Sequence, residues 1–551
     1  MTTSTLPSYL FQNQPQPRRP AVLLPPSTLL ASEIPLSICY KELKDHTTSL
    51  ATQLQSFAPP QTTVSLSLIN SIEFVTSFLA LAQDSFIAAP LNPAYTQDEA
   101  GKRFNIFNLI LPVVSSPLLL LVHKGELSST SKPSGAVLAA RKLNIPISEV
   151  YFNLATCAIE FSGSPTHDTK LCRNQTRAPR ENDVLLLLHT SGTTGRPKAV
   201  PLTHKNMIST TRNIQTTYDL SWSDRSFLVM PLFHVQYWLT RRATSSPCCK
   251  WVVCHTASLC RPDILARVCA HQSKFAYLVF CADLTCIHQP TIHQILLGLP
   301  PPSPLPKLRF IRSCSSALSP ATHAQLERVF QTPVLEAYAM TEATHQMTSN
   351  PLPPAIVEKP GSVGKPVGID LKILNFDKEE EVEEGEVCIR GPNVTSGYLN
   401  NPTANKSSFT VPGGYFRTGD RGKVDADGYL TITGRIKELI NRGGEKISPI
   451  ELDGALLSIE GVAEAVAFGV PDAKYGEVPW AVVVLRKLPH KPVPSEREIQ
   501  HQLSRQLGNF KIPEKILIVD QIPKTATGKV QRRKISEMFF KKQQANPKAR
   551  L

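Results

Sequence analysis

The sequence predicts an α/β protein with a large N-terminal domain of doubly wound sheets, a β-rich subdomain and a smaller α+β C-terminal domain. A chain of 551 residues is too long for one hydrophobic core. Short apolar runs alternate with helical patterns over residues 34–96, which is typical of a largely parallel sheet covered by helices. From Ser362 to Val424 the pattern changes to short strands separated by Gly, Pro and Asp turns, which indicates the β-rich subdomain.

The N-terminal elements follow from residue periodicity. Helices are expected over Leu43–Phe57 and Glu73–Gln83, with a strand over Thr63–Leu68 between them. Thr203 is expected to cap a helix over residues 206–217, because its hydroxyl can accept a hydrogen bond from an exposed N–H of the first turn. These elements build the helix-covered sheets of the large domain.

Beyond Gly434 the pattern indicates a compact α+β unit of about a hundred residues. Its expected elements are helices over Ser448–Ile459 and Glu496–Leu507 and strands over Ala463–Val470 and Trp480–Leu485. In the preceding β-rich subdomain, a strand is expected over Glu386–Arg390. We therefore predict an N-terminal domain over residues 1–436, a C-terminal domain over 437–545 and a tail over 546–551.

The composition excludes several classes of protein. With 41% apolar and 19% charged residues, the chain is expected to be soluble and globular. No window predicts a membrane span, since the most apolar run, Phe107–Val122, is interrupted by prolines and serines, and residues 1–20 do not resemble a secretory signal. Twelve cysteines without paired spacing favour a reducing compartment, and those near Cys254 and His255 lack the second half of a zinc site.

The formal net charge is +14, and the basic residues are spread along the chain, apart from a cluster at Lys529–Lys542. Such a bias fits small anions such as nucleotides as well as it fits nucleic acid. An RNA-binding protein is the last of the hypotheses, because the chain lacks the aromatic strings and Gly-rich arms of that class.

A phosphate-binding loop is predicted at residues 190–198. The apolar run at 184–189 indicates a buried strand, and it opens directly into the loop sequence TSGTTGRPK. Glycines allow backbone N–H groups to approach anionic oxygens, and hydroxyls and Lys198 add donors and charge. The spacing differs from that of a P-loop, and an ordinary Ser/Thr/Gly turn is the alternative.

This loop and four further segments resemble the AMP-forming acyl-activating superfamily, which includes acyl-CoA synthetases and 4-coumarate-CoA ligase. The four segments are Tyr338-Ala339-Met340-Thr341-Glu342, Tyr415-Phe416-Arg417-Thr418-Gly419-Asp420, Gly434-Arg435-Ile436-Lys437-Glu438 with Gly443-Gly444-Glu445-Lys446, and Pro523-Lys524-Thr525-Ala526-Thr527-Gly528-Lys529. The resemblance extends from about Ile34 to Lys534 and implies a ligase that uses ATP and CoA, with Mg²⁺ as cofactor.

The resemblance implies an ATP site built from separate segments. Residues expected to contact ATP are Thr190, Ser191, Gly192, Thr193, Thr194, Gly195 and Lys198 for the phosphates, Ser315, Ser316, Ala317 and Tyr338 for adenine, Asp420 for the ribose hydroxyls, and Arg435. Thr341 would donate its hydroxyl to the α-phosphate, and Glu342 would hold Mg²⁺, a cation that prefers oxygen ligands. For the pair Thr341–Glu342, helix capping is the alternative interpretation.

By the same resemblance, the C-terminal domain is mobile. Lys529 is the expected adenylation lysine, and Lys437 matches the hinge position. After adenylation the small domain would rotate, and Gly443 and Gly444 would then admit the pantetheine arm of CoA.

The expected acid is oxalate. Residues 343–354, after Glu342, are more polar than a pocket for a fatty chain or an aromatic ring, and they resemble the oxalate-CoA ligase branch. His234 and His345 could help to compensate a second carboxylate. The alternatives are a ligase for medium-chain or phenylpropanoid acids and a paralogue that binds nucleotide without turnover.

Two stretches depart from the family pattern. Residues 236–289 are cysteine-rich and contain no glycine, which indicates a reading-frame error or a retained intron, with a divergent insert as the alternative. Residues 101–120 show a milder departure. The first stretch is expected to build part of a sheet and a wall of the acyl pocket.

The sequence finishes in Ala549-Arg550-Leu551, a variant of the Ser-Lys-Leu peroxisomal address. We therefore expect recognition by a peroxisomal import receptor and a peroxisomal location; the alternative is a cytoplasmic location.

Overall fold

The structure is a computed structural model, and it describes most of the chain. The described residues are 5–11, 17–18, 20–24, 36–55, 60–108, 119–128, 132–153, 155–162, 177–190, 197–221, 224–228, 232–233, 250–253, 284–288, 293, 297, 305, 308–353, 359–411, 413–486, 492–524 and 530–545.

The α-helices within these ranges are Leu6–Phe11 (α1), Tyr40–Gln55 (α2), Ile72–Gln83 (α3), Gln97–Asn108 (α4), Gly135–Lys142 (α5), His204–Tyr218 (α6), Pro320–Phe330 (α7), Pro402–Ser408 (α8), Pro449–Leu457 (α9), Glu496–Leu503 (α10) and Arg532–Ala545 (α11). Short 3₁₀ helices cover Thr341–Ala343, Ile436–Glu438 and Asn509–Lys511.

The strands are Pro20–Leu24 (β1), Leu36–Cys39 (β2), Thr63–Ser67 (β3), Ile87–Pro90 (β4), Leu119–His123 (β5), Ile147–Asn153 (β6), Ala158–Ser162 (β7), Val184–Thr190 (β8), Lys198–Thr203 (β9), Arg225–Leu228 (β10), Lys250–Val253 (β11), Leu284–His288 (β12), Leu308–Ser313 (β13), Val334–Met340 (β14), His345–Ser349 (β15), Lys365–Pro366 (β16), Asp370–Leu374 (β17), Glu384–Arg390 (β18), Phe416–Val424 (β19), Leu430–Arg435 (β20), Ile440–Arg442 (β21), Glu445–Ile447 (β22), Val462–Asp472 (β23), Gly476–Leu485 (β24) and Lys515–Ile518 (β25).

Two large sheets form the N-terminal part. The first has the order β7-β6-β5-β3-β4-β8-β9, and the second has the order β16-β15-β14-β13-β12-β10-β11-β1-β2. Their central strands are parallel, as expected, whereas the pairs towards the edges, β6–β7, β8–β9, β1–β2, β14–β15 and β15–β16, are antiparallel. The predicted α/β class is confirmed, with the difference that the sheets are mixed at their edges.

The predicted helices form for local reasons. Helix α3 is buried along almost its whole length, and the Ser71 hydroxyl accepts a hydrogen bond from the Phe74 N–H at 3.3 Å. Thr203 caps α6, as expected, and Asn206 completes a reciprocal capping box by accepting from the Thr203 N–H at 2.9 Å. Helix α6 packs its buried face on the main hydrophobic core between the two sheets.

The β-rich region and the C-terminal unit have separate sheets. Strands β17–β20 form a four-stranded antiparallel sheet, and β21–β25 form a five-stranded sheet in which β25 runs parallel to β24. Helices α9 and α10 cover a core around Leu452 and Ile499, and α11 supplies Ile535 and Phe539 to a second core. A smaller α+β unit therefore follows the β-rich region, as predicted.

The anomalous stretch contributes two strands to the second sheet. Strand β11 pairs in parallel with β1 and β10, and β12 pairs in parallel with β10 and β13. The remaining residues of 236–289 and residues 109–118 of the milder departure lie outside the described residues. The prediction that the first stretch builds part of a sheet is confirmed. No helix in the described ranges is long and apolar enough to span a membrane.

Candidate active site

The predicted phosphate loop joins two paired strands. Strand β8 ends at Thr190 and β9 begins at Lys198, and these two residues are register partners in the antiparallel pair. The loop residues Ser191, Gly192, Thr193, Thr194 and Gly195 lie outside the described residues. Lys198 is therefore held at the mouth of the hairpin by the strand that follows the loop.

Lys198 and Glu342 are connected through Tyr398. The Lys198 Nζ lies 4.4 Å from the centre of the Tyr398 ring, and the Tyr398 hydroxyl donates a hydrogen bond to Glu342 Oε1 at 2.8 Å. Burial lowers the pKa of Lys198, nearby Lys437 lowers it further, and Glu342 opposes both effects. A cation and a carboxylate from different segments thus lie on two sides of one buried phenol.

Glu342 lies in a sharp turn after β14. The segment Thr341–Ala343 is a single 3₁₀ turn, and Thr344 and His345 after it have φ values of 53° and 105°. The turn has no side-chain cap hydrogen bond at its N-terminus, so the capping alternative for Thr341–Glu342 has no support here. Glu342 is 6% exposed, and its Oε2 accepts no hydrogen bond from the described residues, which leaves that oxygen for a cation.

Tyr338, Asp420 and Arg435 form the second cluster. The Tyr338 hydroxyl donates a short hydrogen bond to Asp420 Oδ2, and the Arg435 Nε donates to Asp420 Oδ1 at 2.7 Å. Burial raises the pKa of Tyr338 well above its ordinary value, and the Asp420 charge raises it further. The phenol therefore remains a donor, and the expected adenine and ribose residues meet at one point.

The segment Ser315–Ala317 follows β13, which pairs in parallel with β14, the strand that carries Tyr338. Because the carboxyl ends of parallel strands lie at one edge, the segment and Tyr338 share that edge of the sheet. Ser315 has φ of 79°, a value that non-glycine residues rarely adopt.

A buried polar network lies behind His345. Arg312, 1% exposed, donates from Nε to the Tyr218 hydroxyl at 2.6 Å and from Nη2 to Gln346 Oε1 at 3.1 Å. His345 is also buried, and its Nδ1 has no hydrogen-bond partner in the described part of the chain. Burial, with a smaller contribution from Arg312, lowers the pKa of His345 well below its ordinary value. The positive charge here is on Arg312, and the imidazole is neutral.

Three further predictions concern residues that the structure does not describe. His234, Lys529 and the tripeptide Ala549-Arg550-Leu551 all lie outside the described residues.

The hinge and CoA residues follow β20. Lys437 is exposed in the 3₁₀ turn Ile436–Glu438, close enough to Lys198 to influence its pKa. Gly443 and Gly444 connect β21 and β22 with φ values of 61° and 99°, so the hairpin itself requires glycine. A Cβ at Gly444 would meet nothing within 4 Å, which leaves open space beside the turn.

Sequence reasoning missed Tyr398 and Arg312. Arg312 had a signal, because it is the second arginine in the short strand Leu308–Ser313 and follows the apolar pair Phe310–Ile311. Tyr398 had none that we recognise, since it lies in a loop after β18 and its partners are distant in sequence.

Comparisons with known proteins agree with this geometry. The AMP-binding enzyme family matches residues 12–399, and the AMP-binding enzyme C-terminal domain matches residues 451–529. An oxalate–CoA ligase of Saccharomyces cerevisiae is 45% identical over 502 residues, which is 87% of each chain. An oxalate–CoA ligase of Arabidopsis thaliana is 42% identical and covers 92% of this chain and 94% of that protein.

Solved structures show the same fold. ATP-bound MatB from Rhodopseudomonas palustris matches with a TM-score of 0.80 at 26% identity, over 98% of this chain and 99% of that one. The o-succinylbenzoate CoA synthetase MenE from Bacillus subtilis, in complex with ATP and magnesium ion, matches with a TM-score of 0.73 at 25% identity, over 96% and 98%. The expected class, an AMP-forming acid–CoA ligase that uses ATP and CoA, is thereby confirmed. This chain belongs to the AMP-binding enzyme family.

Proposed function

We propose that this protein is an oxalate–CoA ligase, which forms an oxalyl-adenylate and then oxalyl-CoA. The observation that carries the choice of acid is the buried guanidinium of Arg312 beside the buried imidazole of His345. The similarity to two oxalate–CoA ligases, at 45% and 42% identity, supports it independently.

Oxalate is a dianion at neutral pH, so its binding requires compensation at both ends. A buried carboxylate is costly unless it is paired and hydrogen-bonded. Arg312 supplies a permanent positive charge, and the neutral His345 can direct a ring nitrogen toward the distal carboxylate. A pocket for a medium-chain or phenylpropanoid acid would have no use for a buried cation here.

In adenylation, one oxalate oxygen attacks the α-phosphorus of ATP and pyrophosphate leaves. Lys198 would bind the terminal phosphates, and Thr341 would donate its hydroxyl to the α-phosphate. Tyr338 would stack on adenine, opposite the backbone of Ser315–Ala317, and Asp420 with Arg435 would hold the ribose. Lys529 would stabilise the charge that develops at the reacting oxygens.

Mg²⁺ is the proposed cofactor, and the donor set fits it. Glu342 offers a carboxylate oxygen, Oε2, that accepts no hydrogen bond from the described residues, and hard cations prefer such ligands. The magnesium ion in the MenE complex supports this assignment. When bound with ATP, the ion would neutralise phosphate charge.

In the second half-reaction, the CoA sulfur attacks the acyl carbon and AMP leaves. Residues 1–436 and 437–545 would act as two domains, with Lys437 as hinge, and Gly443 with Gly444 would admit the pantetheine arm. We also propose that the protein is peroxisomal and that an import receptor recognises Ala549-Arg550-Leu551.

The test is acid-dependent exchange of pyrophosphate into ATP by the purified full-length chain. Oxalate should support exchange above malonate, succinate, octanoate and 4-coumarate, and Lys529→Ala should abolish it. Exchange only with octanoate or 4-coumarate would overturn oxalate as the substrate, and no exchange with any acid would indicate a paralogue without turnover.

A further inference from the structure

We infer that Tyr398 is a positioning residue that sets the distance between the phosphate-binding Lys198 and the metal-binding Glu342. The inference rests on the roles proposed above for those two residues. It assigns a function to a side chain that belongs to neither of their segments.

The Tyr398 side chain contacts both Glu342 and Lys198, and its ring also meets the edge of Phe416. Its hydroxyl donates to Glu342 Oε1 at 2.8 Å, and its ring lies 4.4 Å from the Lys198 Nζ. Because the phenol occupies Oε1, Oε2 is the carboxylate oxygen that remains for a cation. Because the ring attracts the ammonium, the phenol lies between Lys198 and the Glu342 carboxylate and fixes their separation.

The loop that carries Tyr398 is fixed to both partner segments. The Thr395 N–H donates to the Glu342 carbonyl at 2.7 Å, and the Thr395 hydroxyl donates to the Pro201 carbonyl of β9 at 2.8 Å. The Leu399 N–H donates to the carbonyl of Ala199, the residue after Lys198, at 2.9 Å. The loop thus crosses from the turn of Glu342 to the strand of Lys198.

The Tyr398 backbone is itself clamped. Its N–H donates to the Asn405 Oδ1 at 2.7 Å, and its carbonyl accepts from the Asn405 Nδ2 at 2.8 Å. Gly397 before it has φ of 137°, and a Cβ there would lie 2.9 Å from the Asn405 Oδ1. A phenol held this firmly, and only 7% exposed, can act as a rigid spacer.

Groups that orient metal-binding carboxylates typically change metal affinity by about 10- to 100-fold when removed. Tyr398→Phe removes the hydroxyl and keeps the ring beneath Lys198. We expect it to weaken binding of Mn²⁺ to the complex with α,β-methylene-ATP by about 10-fold. Affinity for AMP, which needs no cation, should change by less than about twofold.

The experiment titrates Mn²⁺ into the full-length chain with the analogue and follows free Mn²⁺ by electron paramagnetic resonance, with AMP affinity measured by calorimetry. The matched control is Tyr415→Phe, which removes a phenol whose hydroxyl bonds to Asp370 in the β-rich sheet instead of to Glu342. It should alter neither affinity.

A double-mutant cycle with Glu342→Gln separates positioning from packing. If Tyr398 acts through Glu342, the hydroxyl has little further effect on Mn²⁺ binding once the carboxylate is gone. The inference is overturned if Tyr398→Phe binds Mn²⁺ like the wild type, if it loses Mn²⁺ and AMP affinity by the same factor, or if the two substitutions are additive. None of these measurements uses oxalate, so a failure of this inference can be distinguished from a failure of oxalate as the substrate.

Discussion

The hydroxyl of Tyr338 donates a hydrogen bond to Asp420, a residue 82 positions later in the chain. Arg435 binds the other oxygen of the same carboxylate at 2.7 Å. The side chain expected against adenine and the carboxylate expected against ribose are therefore joined by a direct hydrogen bond.

Replacing this carboxylate should weaken ATP binding. Asp420→Asn halves the acceptor capacity facing Arg435, so we expect the KM for ATP to rise by about 10-fold with a smaller change in kcat. Pyrophosphate exchange at varied ATP concentrations measures both constants. Asp370→Asn, which removes an exposed acceptor of Tyr415 and Arg390, is the control and should leave KM unchanged. An unaltered KM in Asp420→Asn would remove Asp420 from the ATP site.

Loss of the α6 cap should lower stability. Thr203→Ala removes the acceptor of the Asn206 N–H, which costs about 1 kcal/mol at a typical helix N-terminus. Thermal unfolding followed by circular dichroism should show a lower midpoint. Thr52→Ala, which removes an exposed mid-helix hydroxyl, should leave the midpoint nearly unchanged. Equal midpoints for all three proteins would contradict the cap.

The cap illustrates how far the sequence could predict this molecule. The capping of α6 by Thr203, strand β8 and helix α3 depend on local pattern, and all were predicted close to their bounds. The bond between Tyr338 and Asp420 and the place of Tyr398 depend on contacts between distant segments, which one sequence does not reveal. The antiparallel return of β9 after the phosphate loop was missed because a buried strand has the same apolar pattern in either direction.

A half-buried ion pair should hold α11 on the C-terminal sheet. Arg532 Nη2 lies 2.7 Å from Asp453 Oδ2, and Asp453 also accepts from the Ala467 N–H at 2.6 Å. Asp453→Ala leaves Arg532 with Glu438 as its remaining carboxylate partner and leaves the Ala467 N–H without its acceptor, at a cost of about 1–2 kcal/mol. Hydrogen exchange across residues 440–518 should become faster. Asp427→Ala, at an exposed pair with Lys359, should have little effect, and normal exchange in Asp453→Ala would show that the pair is dispensable.

Acid should loosen the attachment of α1. The His204 Nδ1 accepts a hydrogen bond from the Leu6 N–H at 3.1 Å, and burial lowers the pKa of His204 to about 4. In the unfolded chain that pKa returns to about 6.5, so the unfolded state binds more protons between these values. Stability should therefore fall as pH decreases from about 6.5 towards 4.

The measurement compares thermal midpoints of the wild type and His204→Gln from pH 7.5 to 4.5. The difference between the two proteins should narrow on acidification, because only the wild type loses this contribution. A difference that stays constant with pH would contradict the neutral, buried state of His204.

Arg312 should determine the preference for a diacid. Arg312→Gln keeps polarity and removes the charge, so the KM for oxalate should rise by about 10- to 100-fold while that for ATP changes little. Exchange kinetics at varied oxalate give the first constant, and the ATP constant of the same variant controls for folding. If the KM values for oxalate and ATP rose by the same factor, Arg312 would have only a structural role.

The turn at Thr344 and His345 carries a further consequence. Both residues adopt positive φ, where a side chain costs about 1 kcal/mol or more and glycine costs nothing comparable. The bend that connects the Glu342 carboxylate to the His345 imidazole, three positions later, therefore lowers the stability of the folded chain. At Thr344 and His345, substitutions that raise thermal stability are therefore expected to lower turnover.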